Sequence, residues 1–342
     1  MDHPTPSNVE ALQQIWQRVL QRSPIDVNDD FFDLGGNAWL AAELFTEINN
    51  QLGVDLAPTV VCKAATITAL AAVLNMTQPC GPALLLKQGA AQAPPVFMLH
   101  GIGSSVVDLV PLVRRMPVDQ PIYGLEALGN DGKPAPLDRL EDMAQSFVTA
   151  IREIQPHGPY FLIGYSLGGL VALEIAQQLK AKDQEIALLV MLDSYPDRRY
   201  LSFPQYARLL LQLAEKRVSG QMNPTAARKG RLIQTADSPP NSLVRALQRT
   251  KDAHYRALRS YRPRFYDGEV TFVRAALPSR FPADPVPVWS PLIHKLNVET
   301  VPGEHVSMLT TSVDPLASLL STFARAAFAV SSPDCKIVGR LE

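Results

Sequence analysis

The sequence has little of what membrane, secreted and nucleic-acid-binding proteins depend on. Cysteine is scarce: Cys62, Cys80 and Cys335 are the only three in 342 residues, widely spaced and odd in number. That fits reduced thiols in a cytoplasmic protein better than a disulfide framework or a metal site. An excess of charge of either sign is also missing, since 32 Lys and Arg face 33 Asp and Glu for a net charge of −1. With no basic cluster and a pI near 6.6, the chain is not expected to bind nucleic acid or an anionic membrane. No apolar run reaches the length of a membrane span, and Met1-Asp2-His3-Pro4 lacks a signal-peptide pattern. Cytoplasmic localisation is the expectation, and no internal repeat is visible.

What is present describes a folded chain of two domains. Hydrophobic residues make up 46% of the sequence, enough for a sizeable core, and the 29 prolines fall mostly between periodic segments. The most informative stretch is Tyr160-Phe161-Leu162-Ile163-Gly164-Tyr165-Ser166-Leu167-Gly168-Gly169. Its apolar run reads as a buried strand, and the residues from Leu170 to Ala176 read as a helix. Between them stands G-x-S-x-G, so Ser166 is expected on a strained strand-to-helix turn whose neighbours must lack bulky side chains. The helix would aim free N–H groups and its positive end at charge developing beside Ser166. The bland alternative is an ordinary glycine-rich turn. A strand before it and a helix after it favour the nucleophile.

In the first eighty residues, Val9, Leu12, Ile15, Trp16, Val19 and Leu20 recur at helical spacing, and Ser23-Pro24 ends that helix. A second helix carries Leu40, Leu44, Phe45 and Ile48 on one face, and a short last one carries Ile67, Leu70, Ala71 and Leu74. Between the first two lies Asp29-Asp30-Phe31-Phe32-Asp33-Leu34-Gly35-Gly36-Asn37-Ala38-Trp39-Leu40. This segment resembles the signature of the peptidyl carrier (thiolation) domains of nonribosomal peptide synthetases. The resemblance implies an all-α four-helix carrier bundle over residues 1–75 and phosphopantetheine as its cofactor. In that family a serine after G-G-N carries the arm; here the position is Ala38, which has no hydroxyl to esterify. Ala38 marks a carrier silenced by substitution, a naturally inactive carrier or a helical docking module. The intact remainder of the motif favours the first.

Residues 76–83 read as a linker. From residue 84 to about 330, strands and helices alternate: Leu84–Leu86, Val96–Leu99, Ile122–Gly124, Leu140–Ile154, the Ser166 strand and helix, then Ile186–Leu192. Such alternation predicts a mostly parallel sheet with helices on both faces and catalytic groups at the strands' carboxyl ends. Asp193 ends the strand after the nucleophile, where a carboxylate would orient a histidine; its bland reading is a turn cap. Asp284, after Val270–Val273, is the fallback acid. His305 lies in Val301-Pro302-Gly303-Glu304-His305-Val306, a loop before the last helix, as general base. Ser…Asp…His is the order of an α/β-hydrolase. Backbone N–H groups of Leu167 and Ile102 are the expected oxyanion donors. Of the other histidines, His100 is read as structural, His254 as lying on an exposed helix, and His157 and His294 as preceding turns. No metal is expected.

The motifs G-Y-S-L-G-G, L-D-S-Y (Leu192–Tyr195) and P-G-E-H-V-S-M-L (Pro302–Leu309) resemble those of type I thioesterases that terminate nonribosomal peptide synthetases and polyketide synthases. The resemblance implies an α/β-hydrolase with a helical lid insertion, about 196–265, and a tail at 331–342. It implies transfer of an acyl or peptidyl chain from carrier phosphopantetheine to Ser166, then release by hydrolysis or cyclisation. Its implied partners are upstream adenylation and condensation modules and a phosphopantetheinyl transferase. The alternative is a free-standing serine esterase or lipase with a non-catalytic helical docking domain.

Overall fold

The structure is a computed structural model that describes residues 6–74, 81–218, 242–277 and 281–331. Linker residues 75–80, the polar stretch 219–241 of the insertion, Cys80, Cys335 and the tail from residue 332 lie outside the described residues. In the N-terminal bundle, α1 spans Pro6–Leu20, α2 Ala38–Leu52 and α3 Ile67–Val73. The Asn37 side chain starts α2 by accepting the N–H groups of Trp39 and Leu40, and Gly53 ends it at φ 66°, a conformation glycine adopts without strain. Trp16, Phe31 and Phe45 fill the centre, with Trp16 edge-on to Phe31 at 5.7 Å. The expected fourth helix is a five-residue 3-10 segment, Pro58–Cys62. Proline at its start and β-branched Thr59, Val60 and Val61 give a longer α-helix little support.

Among the described residues seven strands follow: β1 Ala83–Lys87, β2 Val96–Leu99, β3 Ile122–Leu125, β4 Tyr160–Tyr165, β5 Ile186–Leu192, β6 Tyr266–Ala275 and β7 Ile293–Val301. They form one sheet in the order β1-β3-β2-β4-β5-β6-β7. Only β1 is antiparallel to its neighbour. The central strands are apolar on both sides because both faces are covered. Phe97, Leu99, Leu162, Leu189 and Met191 face α5 (Leu140–Ile154) and α6 (Leu167–Lys180). Met98, Phe161, Ile163 and Val190 face α4 (Val110–Arg115) and the last helix, Val313–Ser331.

That last helix corrects one expectation. Its window Val313–Val330 has a mean hydropathy of 1.2 and is long and apolar enough, by composition, to cross a membrane. Asp314 and Arg325 interrupt the run but do not lower its average below that level. Its buried face, Leu316, Ala317, Leu320 and Ala324, packs on the sheet as a core helix does.

The insertion after β5 holds α7 (Phe203–Val218) and α8 (Leu243–Ser260). The carrier-like bundle sits against α8 and the loop after β2. Leu243, Val244, Leu247 and Val107 join the bundle's own core. Polar contacts run alongside: Leu243 N–H donates to Thr46 Oγ1 (3.1 Å), the Trp39 indole N–H to the Gly103 carbonyl (2.9 Å), and Ala38 N–H to Asp108 Oδ1 (2.9 Å).

Candidate active site

Two sharp turns at the carboxyl ends of neighbouring strands create the site. Ser166, between β4 and α6, has φ 56° and ψ −118°, a conformation an L-residue holds only under constraint. Its N–H donates to the Leu192 carbonyl (2.9 Å), which ties the turn to β5. A Cβ on Gly164 would run into the Gly168 carbonyl, and one on Gly168 would lie 2.5 Å from the His100 carbonyl oxygen. Glycine there lets α6 start hard against the sheet. Leu167 is the first residue of α6, so its N–H has no acceptor within the helix. Gly101 lets the loop after β2 reach Ser166, since a Cβ on it would sit 3.2 Å from the Ser166 Cβ. Ile102 follows in that turn.

Asp193 ends β5 at φ 46°, 4% exposed, and its N–H donates to the Val273 carbonyl (2.8 Å). Its Oδ2 lies 2.7 Å from His305 Nδ1, across 112 residues of sequence. A carboxylate at Nδ1 fixes the proton there and leaves Nε2 as the basic nitrogen. Among the described residues, no hydrogen bond joins the Ser166 hydroxyl to the His305 ring; in ligand-free sites this contact is often open. The fallback acid, Asp284, is elsewhere: its Oδ1 accepts the N–H of Val286 (3.0 Å) on an exposed loop.

Two residues that the sequence did not single out hold the histidine. The Tyr165 ring stacks on His305 at 4.9 Å, and Phe281 meets it at 4.9 Å from another side. Burial and the neighbouring Asp193 carboxylate push the Tyr165 phenol far up, so it stays neutral. Tyr165 stands next to the nucleophile in the motif; Phe281 carried no local signal.

The other histidines separate clearly. His100 is buried, and its Nε2 accepts the Ala127 N–H (3.2 Å), leaving Nδ1 to donate to the Gly101 carbonyl (3.0 Å). Both ring nitrogens thus meet backbone groups, and His100 also lines the cleft at Leu167 and Gly168. His254 is not exposed, contrary to expectation: it is 5% exposed, because α8 is packed on one side by α2 and on the other by α5. Burial and the nearby His100 lower its pKa to about 3, and its Nδ1 has no partner among the described residues. His254 joins Leu99, Leu125, Met143, Phe147 and Val171 in lining an apolar cleft that reaches Leu167 and Gly168. His294 lies within β7, not before a turn. A second cavity, of about 260 Å³, opens beside Ala38 and shares Ala127 and Leu128 with the first. Ala38 is the first residue of α2, 2% exposed, and its side chain is a bare methyl. Among the described residues no cluster of metal ligands occurs.

A mostly parallel sheet, helices on both faces and a serine turn before α6 make the larger unit an α/β-hydrolase. Residues 94–324 match the family described as thioesterase domain, and residues 10–74 match the family described as phosphopantetheine attachment site. The chain belongs to the thioesterase-domain family. It is 32% identical over 303 residues to a dimodular nonribosomal peptide synthase of Bacillus subtilis, covering 83% of this chain and 13% of that one. It is 26% identical over 289 residues to enterobactin synthase component F of Escherichia coli K12, covering 83% of this chain and 22% of the other. The chain thus spans less than a quarter of the length of either relative. A four-domain nonribosomal peptide synthetase shares its fold over 94% of this chain and 26% of its own, at TM-score 0.61 and 22% identity. The type II thioesterase BorB shares it over 73% of this chain and all of its own, at TM-score 0.54 and 18% identity.

Proposed function

We propose that the chain is the carrier–thioesterase part of a nonribosomal peptide synthetase and that Ser166 takes an acyl or peptidyl group from a thioester. The observation that carries this reading is the His305 Nδ1 to Asp193 Oδ2 contact of 2.7 Å beside the strained Ser166 turn. His305 Nε2 removes the Ser166 proton as Oγ attacks the thioester carbonyl. The N–H groups of Leu167 and Ile102 hold the oxyanion. Collapse of the tetrahedral intermediate breaks the C–S bond, and the imidazolium returns its proton to the leaving thiolate. Asp193 holds the tautomer throughout. Water or an internal nucleophile then frees the product by hydrolysis or cyclisation. Upstream synthetase modules would supply the chain.

Ala38 stands, in this reading, at the attachment position of the carrier. Its methyl group offers no oxygen for a phosphodiester, so the residues present do not fit covalent phosphopantetheine, and no step passes through an arm on this chain. A phosphopantetheinyl transferase would have no substrate in it.

The test is active-site labelling with a fluorophosphonate, then turnover of short acyl thioesters and the matching oxygen esters. Modification should map to Ser166 and disappear in Ser166→Ala, and thioesters should be preferred. Labelling elsewhere would sink the nucleophile. Equal use of simple oxygen esters would favour a free-standing esterase.

A further inference from the structure

We infer that His100 is a positioning residue of the reaction: its Nδ1–H holds the Gly101–Ile102 peptide so that the Ile102 N–H faces the oxyanion formed at Ser166. The inference rests on the reading of Ser166 and Ile102 given above and adds what keeps the second oxyanion donor in place.

The C=O of Gly101 and the N–H of Ile102 belong to one planar trans peptide and point in opposite directions. Whatever holds the oxygen edge therefore aims the nitrogen edge. His100 Nδ1 lies 3.0 Å from the Gly101 oxygen, and the Ala127 N–H reaches Nε2 at 3.2 Å. A ring nitrogen that accepts carries no proton, so the proton stands on Nδ1 and is donated to Gly101. The Ala127 contact also pins the ring to the chain just after β3. Glu126 Oε1, 3.7 Å from Nε2, is beyond hydrogen-bonding distance and accepts from the Asn130 amide. Glu126 Oε2 accepts the Ser105 hydroxyl (2.6 Å) and the Val106 N–H (3.0 Å). That carboxylate braces the same loop without competing for Nε2.

The Gly101–Ile102 peptide needs a clamp. Close approach to Ser166 requires glycine at 101, since an added Cβ would sit 3.2 Å from the Ser166 Cβ and from the Tyr165 ring. Glycine also frees the backbone there, and Gly103 follows at φ 64°, so the plane between them can turn over at small steric cost. Turned over, it would present a carbonyl oxygen to the oxyanion and repel it. Among the described residues the Ile102 N–H has no backbone acceptor, so the hold comes from the oxygen edge. A hydrogen bond on that oxygen also polarises the N–H of the same unit. Leu167 needs no such clamp, because α6 itself fixes the plane of its N–H.

Two variants separate the clamp on Gly101 from the anchor on Ala127. Asparagine places an amide nitrogen where Nδ1 stands and has nothing at Nε2; glutamine places an amide oxygen where Nε2 stands and has nothing at Nδ1. In the full chain, the parent, His100→Asn and His100→Gln would be compared by kcat and KM for a short acyl thioester. The inhibition constant of a trifluoromethyl ketone with the same acyl chain, and the urea midpoint, complete the set. The ketone captures the oxyanion: Ser166 Oγ bonds to its carbonyl carbon, the serine proton passes to His305, and the carbonyl electron pair moves onto oxygen. His100→Gln should lower kcat roughly thirtyfold to three-hundredfold, with KM within about twofold, and should weaken the ketone by the same factor. His100→Asn should keep kcat and ketone affinity within about fivefold of the parent. Its urea midpoint should nevertheless fall below that of His100→Gln, because the Ala127 N–H loses its acceptor. A merely structural role predicts the reverse order, with the less stable Asn chain the slower. That order, or equal kcat in the Gln and parent chains, or a loss of kcat with no loss of ketone affinity, would overturn the inference and leave Ser166 as the nucleophile. Turnover and ketone inhibition that survive Ser166→Ala would refute the reading of Ser166 itself, and the inference with it.

Discussion

Tyr165 holds His305 twice: its ring stacks on the imidazole at 4.9 Å, and its hydroxyl donates to the His305 carbonyl at 2.8 Å. One contact orients the side chain and the other anchors the loop that carries it. Tyr165→Phe keeps the first and removes the second. With one such bond worth about 1 kcal/mol, kcat for a thioester should fall roughly fivefold to tenfold while KM stays within about twofold. An unchanged kcat would show that the loop is positioned without it.

Asp193 and Asp284 make opposite predictions. Asp193→Asn should lower kcat by roughly a thousandfold or more, because the amide favours the wrong tautomer of His305. Asp284→Asn, whose carboxylate only accepts the Val286 N–H, should stay within about twofold. The double variant Ser166→Ala with His305→Ala should be little worse than either alone, since the groups act as a unit. Steady-state kinetics on the parent chain and these five variants, the two single ones included, decides all three statements.

Gly168 is expected to be intolerant of even one methyl group. Its Cβ would lie 2.5 Å from the His100 carbonyl oxygen and 2.6 Å from that of Leu99, and neither backbone can retreat without opening the sheet. Gly168→Ala should cost roughly 2–3 kcal/mol or more by urea unfolding. Gly81→Ala, with nothing within 4 Å of the added atom, should stay within about 0.5 kcal/mol.

His254 should make stability depend on pH. Burial lowers its folded pKa from 6.5 to about 3, so below pH 6.5 the unfolded chain takes up a proton that the folded chain refuses. The stability this group contributes is complete above about pH 6.5 and is lost as pH falls toward 3, at up to about 1.4 kcal/mol per pH unit. Between pH 7 and pH 5.5 the urea midpoint of the parent chain should drop more than that of His254→Phe. Parallel curves would show that His254 is not held neutral.

The helices and strands were legible because period and length agree. Leu140–Ile154 and Ile186–Leu192 have the bounds their patterns predict, and Ser166 and His305 stood out through glycines that only a strained turn requires. What stayed hidden depends on contacts between distant segments. The sequence of α8 alternates charge and apolar residues like a solvated lid helix, and nothing local says that two partners cover it. His254 was misread for that reason. The grip of Phe281 on His305 and of Asp108 on α2 likewise has no spacing to betray it, being set by tertiary packing across the sheet edge and the domain boundary.

One helix serves two neighbours. The first turns of α8 complete the core of the carrier-like bundle through Leu243, Val244 and Leu247, and His254, further along, lines the cleft that reaches Leu167. The helix is therefore a lever with the bundle at one end and the reaction cleft near its middle. A group that fills the cleft and steadies α8 would tighten the seat of the bundle. By the reciprocity of linked equilibria, a bundle firmly seated narrows the range of shapes the cleft can take. Under the proposed function, acyl selectivity would depend on both domains together, and thioester turnover by the full chain and by the thioesterase half alone would differ in acyl preference.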